Sequence, residues 1–346
     1  MLPEMISRRS FLKSLGLAGA GLTVAGLASP AEAARADDPD GWRSRVHDET
    51  RLLMGTVVRI TISRSSKTQA EQGMGLAFAE MERLIALFDR HQSGTVLSQL
   101  NAQQRLTDAP QEFVSLVGKA KSYNQLTNQA FDVTVLPVLE LMERNSNPRG
   151  EVQISRKELN EALALVDISG LQVNGRSVSL ARQGMAVTLD GMAKGYIVDQ
   201  AAAMLQAQGL SHFLINAGGD IRVSGEKRAR APWTVAVEDP AKQGGYPAVL
   251  QLREGAVATS GVYERYFDKT YEHNHLLQPS TGASPVDCLS VTVKAPTAME
   301  ADALATALSV MPQDKALQLV NHLSGCAGLF VMKNGSRVAS QRWQSV

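Results

Sequence analysis

The chain has 346 residues, of which 35 are Lys or Arg and 34 are Asp or Glu, and 44% of its residues are hydrophobic. This length and hydrophobic content suffice for one large globular domain or two ordinary ones. Because the two signs of charge balance, the composition gives no indication of a basic surface for nucleic acid or anionic lipid, and no nucleic-acid partner is expected.

The first 33 residues carry the three parts of a twin-arginine export signal in their usual order. They are an arginine pair in residues 7–13 (SRRSFLK), a small-residue apolar run in 15–28 and an A-x-A-like cleavage site in 30–33. The apolar run is too short and too rich in Gly for a good membrane anchor. We therefore expect recognition by the twin-arginine export machinery, a periplasmic location and a mature domain of residues 34–346.

The first half of the mature chain is predicted to contain one strand and three helices, from its alternating and helical hydrophobic spacing. The strand covers Leu52 to Ile62, and the helices cover Thr68 to Phe88, about Gln111 to Leu126, and Lys157 to Val166. A polar loop is expected between the first helix and Asn101. Residues 144–150 contain Asn, Pro and Gly and could separate two subdomains.

The second half of the mature chain is rich in predicted strands. They are Phe213–Ile215, Ile221–Ser224, Trp233–Val237, Ala248–Leu252 and Leu289–Lys294, followed by helices at Met299–Met311 and Lys315–Leu323. Asn-Gly pairs at 174–175 and 334–335 indicate hairpins. Because helices cluster early and strands late, the predicted fold class is α+β, with mixed, mostly antiparallel sheets and flanking helices. A Rossmann fold is disfavoured, since no G-x-G-x-x-G follows a strand.

The segment from Val187 to Leu205 (VTLDGMAKGYIVDQAAAML) joins an apolar, strand-like run to an Ala-rich helix through a turn at Asp190-Gly191. Free backbone N–H groups at a helix start, together with the helix dipole, favour an anion there. Lys194 adds a full positive charge at the same place. The alternative is a surface lysine on an ordinary turn, and this segment alone does not decide between the two.

The segment from Thr297 to Leu308 contains a carboxylate on an otherwise apolar helix. Thr297 and Glu300 form a capping-box pattern, which accounts for the helix start. Asp302 and Thr306 lie four residues apart and therefore on one helical face. Burying Asp302 without a partner costs several kcal/mol, so we expect either a salt bridge to an Arg or a hard cation bound by Asp302 and Thr306.

Three further features leave alternatives open. The Gly-Gly pair at 218–219 indicates a tight hairpin or a close approach of backbone to a ligand. His273 and His275 point to one side if their segment is extended, and a single acid–base or substrate-binding histidine is favoured over a zinc pair. Cys288 and Cys326 form either one disulfide or two buried thiols.

Ten collinear segments between Leu52 and Met311 resemble the ApbE family of FAD:protein FMN transferases. They are Met54–Thr56, Ser98–Asn101, Ala130–Thr134 with Pro137, Gly191–Tyr196 with Asp199, Asn216–Asp220, Pro232–Trp233, Asp239–Pro240, Ala258–Gly261, His275–Leu277 with Pro279, Thr281 and Gly282, and Ala301–Thr306. A single match of this kind would be weak, whereas ten in the same order are not expected by chance.

The resemblance implies an ApbE-like fold and a magnesium-dependent enzyme. Such an enzyme cleaves FAD, attaches FMN through a phosphoester to a Thr of an acceptor flavoprotein, and releases AMP. The resemblance implies Mg²⁺ ligands at Gly191, Asp302, Ala305 and Thr306, FAD contacts at Met54, His91, Ala130, Phe131, Asp132, Thr188, Lys194 and Leu277, and a catalytic role for His275.

The chain departs from the family pattern at three positions. Thr188 stands where the family usually has Asp, with the acid displaced to Asp190, and Gln278 and Ser280 replace a usual Asp and Arg. These differences keep two rival functions open: a periplasmic FAD carrier without transfer activity, and a magnesium-dependent FAD pyrophosphatase. They would also suit a NosX-like branch dedicated to a single acceptor.

Overall fold

The computed structural model describes residues 46–146, 150–242 and 244–345. The expected export signal lies outside these ranges, as does part of the expected subdomain break at 144–150. Among the described helices, none combines the length and the apolar character that crossing a bilayer requires.

The described residues form thirteen strands and eight α-helices. The strands are β1 (Val46–Leu53), β2 (Thr56–Ser63), β3 (Arg105–Leu106), β4 (Leu171–Asn174), β5 (Ser177–Leu180), β6 (Phe213–Ala217), β7 (Asp220–Ser224), β8 (Trp233–Ala236), β9 (Val249–Leu252), β10 (Glu254–Gly261), β11 (Cys288–Ala295), β12 (Ala327–Met332) and β13 (Arg337–Ala339). The helices are α1 (Lys67–Phe88), α2 (Val96–Gln103), α3 (Gln111–Leu126), α4 (Leu136–Asn145), α5 (Arg156–Leu163), α6 (Ala193–Ala207), α7 (Ala298–Val310) and α8 (Gln313–His322).

One large antiparallel sheet organises the molecule, with the strand order β1-β2-β6-β7-β10-β11-β12-β13. Helices α1, α6 and α7 pack on one face of this sheet, and the β8–β9 hairpin covers part of the other face. Strand β6 shows how the sequence produces both contacts, because successive side chains of a strand point to opposite faces. Phe213 and Ile215 lie in the helix-covered core, whereas Leu214 packs with Trp233 of the hairpin. The α+β prediction with mostly antiparallel sheets is confirmed.

The predicted strand from Leu52 to Ile62 is wrong in one respect, because it is a hairpin of β1 and β2. The chain reverses at Met54 and Gly55, whose φ angles are 53° and 70°. The reversal escapes prediction because apolar residues continue up to Met54, and Gly55 is the only turn residue in the stretch. Similarly, the expected polar loop before Asn101 contains helix α2, which Thr95 caps by accepting a hydrogen bond from Ser98 N at 3.1 Å.

The apolar run from Met185 to Leu189 is extended but is not a strand of any sheet. The side-chain amide of Asn101 takes the place of a neighbouring strand for Val187. Asn101 Oδ1 accepts from Val187 N at 2.8 Å, and its Nδ2 donates to Val187 O at 2.9 Å. Thr188 N donates to Val133 O at 2.8 Å. These bonds fix the segment that leads into the Asp190-Gly191 turn and α6.

Candidate active site

The starts of helices α6 and α7 lie against each other. A Cβ on Gly195 would lie 2.3 Å from Ala298 O, so only glycine allows this backbone contact. Asp199 of α6 accepts hydrogen bonds from Ala298 N at 2.8 Å and Met299 N at 2.9 Å, and so caps α7. Of the predicted capping box, only the half in which Thr297 accepts from Glu300 N is formed. The close approach brings the family-motif residues Lys194 of α6 and Asp302 of α7 together.

Asp302 lies at this helix contact and is 5% exposed. Its Oδ2 accepts a hydrogen bond from Gly195 N at 3.2 Å. Within the part of the chain that the structure describes, Asp302 forms no salt bridge with an Arg or Lys. The alternative of a salt bridge to an Arg is therefore not supported. Burial raises the pKa of Asp302 well above its usual range, and the nearby Asp220 raises it further.

Thr306 and Gly191 are in direct contact beside Asp302. A Cβ on Gly191 would lie 3.0 Å from Thr306 Oγ1 and 3.3 Å from a ring carbon of Phe131. Thr306 Oγ1 also lies 3.3 Å from Ser260 Oγ, at the end of β10. Ala305 is fully buried on the same helix. The structure therefore gathers hydroxyl oxygens from α7 and β10 beside the turn before α6.

Lys194 forms an ion pair with Asp220, and its Nζ lies 2.9 Å from Asp220 Oδ2. Burial alone would lower the pKa of Lys194, but the carboxylates of Asp220, Asp302 and Glu264 raise it above its ordinary value. Lys194 therefore stays charged. It is not the surface lysine of an ordinary turn, because it lies among three acidic groups.

The free N–H groups expected at the start of α6 are mostly engaged within the protein. Met192 N and Ala193 N donate to Leu189 O, and Gly195 N donates to Asp302. This part of the prediction is wrong, because the preceding turn and Asp302 satisfy these donors. The positive charge available to an anion here comes mainly from the Lys194 side chain.

Asp220 reaches this site from the tight turn between β6 and β7. Both turn glycines have positive φ angles, 63° at Gly218 and 106° at Gly219, and the predicted hairpin is confirmed. A Cβ on Gly218 would lie 2.3 Å from Thr56 Oγ1. The turn therefore packs against the β1–β2 turn that holds Met54, and two separate motif segments meet.

The arrangement suits a hard divalent cation. Asp220, Asp302 and Glu264 surround a single lysine, so the site carries excess negative charge when all three are ionised. The described residues contain no group of three or more His, Cys, Asp or Glu side chains placed to hold a metal. A cation bound by Asp302 would thus need hydroxyl, backbone and substrate oxygens, which is the coordination that Mg²⁺ often takes.

His275 is held by the backbone of Arg265. Its Nδ1 and its backbone N each lie 3.0 Å from Arg265 O. Because a carbonyl oxygen only accepts, the neutral ring carries its proton on Nδ1, and Nε2 is left as a potential base. Desolvation by the surrounding protein lowers the pKa of His275 to about 4, and the charges of Lys194 and Arg265 contribute.

His273 has a different partner from His275. Its Nδ1 lies 2.5 Å from Asp268 Oδ2, and the segment between the two histidines is irregular rather than extended. The two rings therefore have separate partners, Asp268 for His273 and Arg265 O for His275. The two cysteines, Cys288 and Cys326, are free thiols.

The remaining predicted FAD contacts lie at varying positions around this site. Ala130 and Phe131 are buried before α4, and Thr188 is 6% exposed in the run before Asp190. Met54 is half-buried in the β1–β2 turn. Leu277 packs in a small apolar cluster with residues of α4. The FAD contacts of these residues stay predictions.

Asp132 and His91 have local partners. Asp132 Oδ1 accepts from Thr134 N at 2.8 Å and from Thr134 Oγ1 at 2.6 Å, so this side chain caps a short 3₁₀ turn. The ring of His91 is exposed, and its Nε2 lies 4.0 Å from Asp190 Oδ2.

Two charged residues near the site were not anticipated from the sequence. Glu264 follows β10, and desolvation in the cleft raises its pKa to about 7. Arg90 lies beside His91 and places a largely buried guanidinium 2.7 Å from Asp190 Oδ2. Neither carries a sequence signal, because each acquires its partner only through the tertiary fold.

Comparison with known proteins gives a consistent result. Residues 54–330 match the model of the ApbE family. A protein of Treponema pallidum called FAD:protein FMN transferase is 28% identical over 320 residues, which are 84% of this chain and 86% of that protein. One of the same name from Vibrio cholerae is 35% identical over 208 residues, 59% of this chain, and the match spans only 62% of that relative's length.

Solved structures show the same similarity. The apbe protein of Thermotoga maritima superimposes with a TM-score of 0.78 at 31% identity, covering 86% of this chain and 97% of that one. The flavin transferase ApbE from Vibrio cholerae gives a TM-score of 0.74 at 26% identity, covering 86% and 97%.

Proposed function

The chain belongs to the ApbE family, and we propose that it is a FAD:protein FMN transferase that modifies an acceptor flavoprotein. In this reaction FAD is cleaved, FMN becomes attached through a phosphoester to a Thr of the acceptor, and AMP is released. One observation carries the proposal: the buried Asp302 and the half-buried Thr306 share one helix face, and the charged Lys194 is close enough to act on both Asp302 and the neutral His275. The names of the relatives support it.

The residues that would hold Mg²⁺ are Asp302, Thr306 and backbone oxygens near Gly191 and Ala305. A bound Mg²⁺ would neutralise negative charge on the FAD pyrophosphate and so lower the barrier to breaking its P–O bond. The buried carboxylate of Asp302, which has no salt bridge among the described residues, supports this assignment, because a divalent cation would compensate its charge.

The protein side chains have separate roles in the transfer. The ammonium of Lys194 attracts the pyrophosphate and stabilises charge on its oxygens during transfer. The hydroxyl oxygen of the acceptor Thr attacks the phosphorus of the FMN half, while the bond from this phosphorus to the oxygen shared with the AMP half breaks. Nε2 of His275 takes the hydroxyl proton as the new P–O bond forms, and AMP leaves with the bridging oxygen.

We propose further that the protein acts in the periplasm after export by the twin-arginine machinery. The support is the ordered arginine pair, apolar run and cleavage pattern in residues 1–33. The free thiols of Cys288 and Cys326 give no information on the compartment.

One assay separates the proposed transferase from its two rivals. Residues 34–346 are incubated with FAD, Mg²⁺ and a candidate acceptor domain, and the products are separated by chromatography. Covalent FMN on the acceptor together with AMP supports the transferase. Free FMN and AMP with an unmodified acceptor would instead establish an FAD pyrophosphatase, and intact bound FAD would establish a carrier.

A further inference from the structure

The segment that carries His275 is held in part by Arg265, which is the residue that hydrogen-bonds the His275 ring. The backbone of residues 262–275 is irregular, so the sheet does not fix it along its length. Arg265 O receives both hydrogen bonds from His275, one from the ring and one from the backbone. Any displacement of Arg265 would therefore move the imidazole or release its Nδ1.

The side chain of Arg265 is tied to Glu143, a residue of α4 that neither the family pattern nor the proposed mechanism uses. Arg265 Nη2 lies 2.9 Å from Glu143 Oε1. The same carboxylate oxygen lies 3.3 Å from Arg90 Nη2. Glu143 is thus shared by two arginines that come from distant parts of the chain.

Arg90 connects this carboxylate to the turn at the start of α6. Its side chain is only 6% exposed, and its Nε lies 2.7 Å from Asp190 Oδ2. Asp190 directly precedes Gly191. The four side chains form a row of alternating charge that joins the His275 segment to the turn beside Thr306: Arg265, Glu143, Arg90 and Asp190.

We propose that Glu143 is a positioning residue for His275, acting through Arg265, and that Arg90 and Asp190 couple this position to the turn that carries Gly191. The catalytic importance of His275 rests on the proposed function, whereas the positioning of its ring does not. Asp190 has a structural role, which is to pair with Arg90. It is the partner of a largely buried arginine, and not a displaced copy of the acid that Thr188 replaces.

The physical reason is that ion pairs and hydrogen bonds in a partly buried network depend on each other. Without the charge of Glu143, Arg265 has no acidic partner among the ion pairs of the described residues, and Arg90 keeps only Asp190. The Arg265 side chain, which is 42% exposed, would then extend into solvent. Its backbone carbonyl would lose one of the anchors that align it with His275.

Glu143→Gln tests this proposal, since it keeps the side-chain shape and removes the charge. We expect the maximal transfer rate to fall by at least about tenfold. This is smaller than the full contribution of a general base, because the imidazole is misaligned and not removed. The KM for the acceptor and the affinity for FAD should stay within about twofold, because Glu143 contacts neither in the proposed mechanism. Glu143→Asp, which keeps the charge, should recover part of the rate.

Glu226→Gln is a matched control. Glu226 also bridges two arginines, at 3.2 Å from Arg64 Nη1 and 3.1 Å from Arg253 Nε, and its side chain is 22% exposed against 24% for Glu143. It has no contact with His275 or its segment. The control should transfer FMN at the wild-type rate.

A second readout needs no FAD, metal or acceptor. In the isolated protein, ¹⁵N NMR of the imidazole should show the Nδ1–H tautomer of His275 in the wild type and in Glu226→Gln. In Glu143→Gln it should show a mixture of tautomers, as in a ring released from its carbonyl. If Glu143→Gln does not fold, Arg265→Met removes the same contact and leaves Arg90 its two acidic partners.

The outcomes distinguish this proposal from the proposed function. A tautomer change in Glu143→Gln or Arg265→Met supports positioning, even if the wild type transfers nothing and the proposed function fails. An unchanged tautomer overturns positioning, including the case in which the transfer rate falls. A rate that falls equally in Glu226→Gln would also overturn it, because the loss would then follow from disrupting any arginine bridge.

Discussion

At the scale of single residues, Asp302 is the carboxylate whose surroundings bear most directly on function. It is buried, and within the described residues it lacks a salt bridge, so its negative charge is costly in the absence of a cation. A carboxylate kept for stability alone would be expected to form a direct ion pair, whereas the nearby Lys194 pairs with Asp220. The surroundings of Asp302 instead favour a binding role.

Asp302→Asn should abolish magnesium-dependent turnover and leave the fold intact, because the amide keeps the shape but not the charge that Mg²⁺ requires. Urea unfolding without magnesium should give a free energy of unfolding within about 1 kcal/mol of wild type, since no ion pair is broken. Transfer that is indifferent to EDTA in the wild type would reject the metal assignment. A loss of about 3 kcal/mol or more in the mutant would point to a broken buried pair.

The low pKa of His275, about 4, predicts the pH dependence of transfer. A base is active when neutral, so lowering its pKa extends activity to lower pH. At saturating Mg²⁺, we expect His275 to cause no loss of rate near pH 6.5, where an ordinary histidine becomes protonated, and a loss only as the pH falls towards its own pKa. Steady-state rates between pH 5 and 8 test this. A half-loss of the wild-type rate near pH 6.5, matched by protonation of the His275 ring at that pH in ¹⁵N NMR, would contradict it.

Some of these residues could be predicted from sequence and others could not. Asp302 and Thr306 were identified together because four-residue spacing places side chains on one face of a helix, whatever the rest of the fold does. The pairing of Lys194 with Asp220, and the contacts of Glu143, depend on segments that meet only in the folded chain. No local sequence pattern predicts such long-range contacts.

At the scale of elements, the contact between α6 and α7 determines how closely Lys194 and Asp302 approach. Gly195 permits it, because a Cβ there would lie 2.3 Å from a backbone oxygen that cannot rotate away. Gly195 N also donates to Asp302. One glycine therefore supports both the packing of the helices and the orientation of the carboxylate.

Gly195→Ala should destabilise the protein by about 1–3 kcal/mol, the usual cost of overpacking, and should reduce transfer. Gly118→Ala is the control, because Gly118 lies within α3 and its added Cβ would meet no atom within 4 Å. It should stabilise the protein by about 0.5–1 kcal/mol through helix propensity. Chemical denaturation measures both variants. Equal effects at the two positions would show that the helix contact tolerates a side chain.

Elements with strong internal periodicity were predictable. The spacing of apolar residues predicts a helix from about Gln111 to Leu126, and the structure shows α3 with these limits. The β1–β2 hairpin is not predicted because Met54 adopts a positive φ angle, which is uncommon for methionine and has no sequence signal. Val187 was expected in a strand, and its hydrogen bonds come from the Asn101 side chain instead, which local propensity does not reveal.

At the scale of the whole molecule, the order of elements along the chain was enough for the α+β class. It was not enough for the strand order, in which β2 pairs with β6 across a long stretch of helices. That pairing places the Met54 turn beside the Gly218 turn. Such long-range neighbours follow from how all the apolar faces are buried together, and no local pattern determines them.

The proposed export also concerns the whole chain. Replacing Arg8 and Arg9 together with Lys should leave the protein in the cytoplasm with its first 33 or so residues uncleaved, because the arginine pair is what the export machinery recognises. Cell fractionation and the mass of the purified protein report both effects. Normal periplasmic accumulation of the double mutant would refute the twin-arginine assignment.

The central claim is that this cleft transfers FMN to a protein, and intact-mass spectrometry of an acceptor domain tests it most directly. After incubation of residues 34–346 with FAD and Mg²⁺, the acceptor should gain the mass of one FMN at a Thr, with one AMP released for each. His275→Ala should yield no modified acceptor while its FAD affinity stays within about tenfold, or roughly 1.4 kcal/mol. An acceptor that stays unmodified with the wild type, or is modified equally well by His275→Ala, would contradict the account.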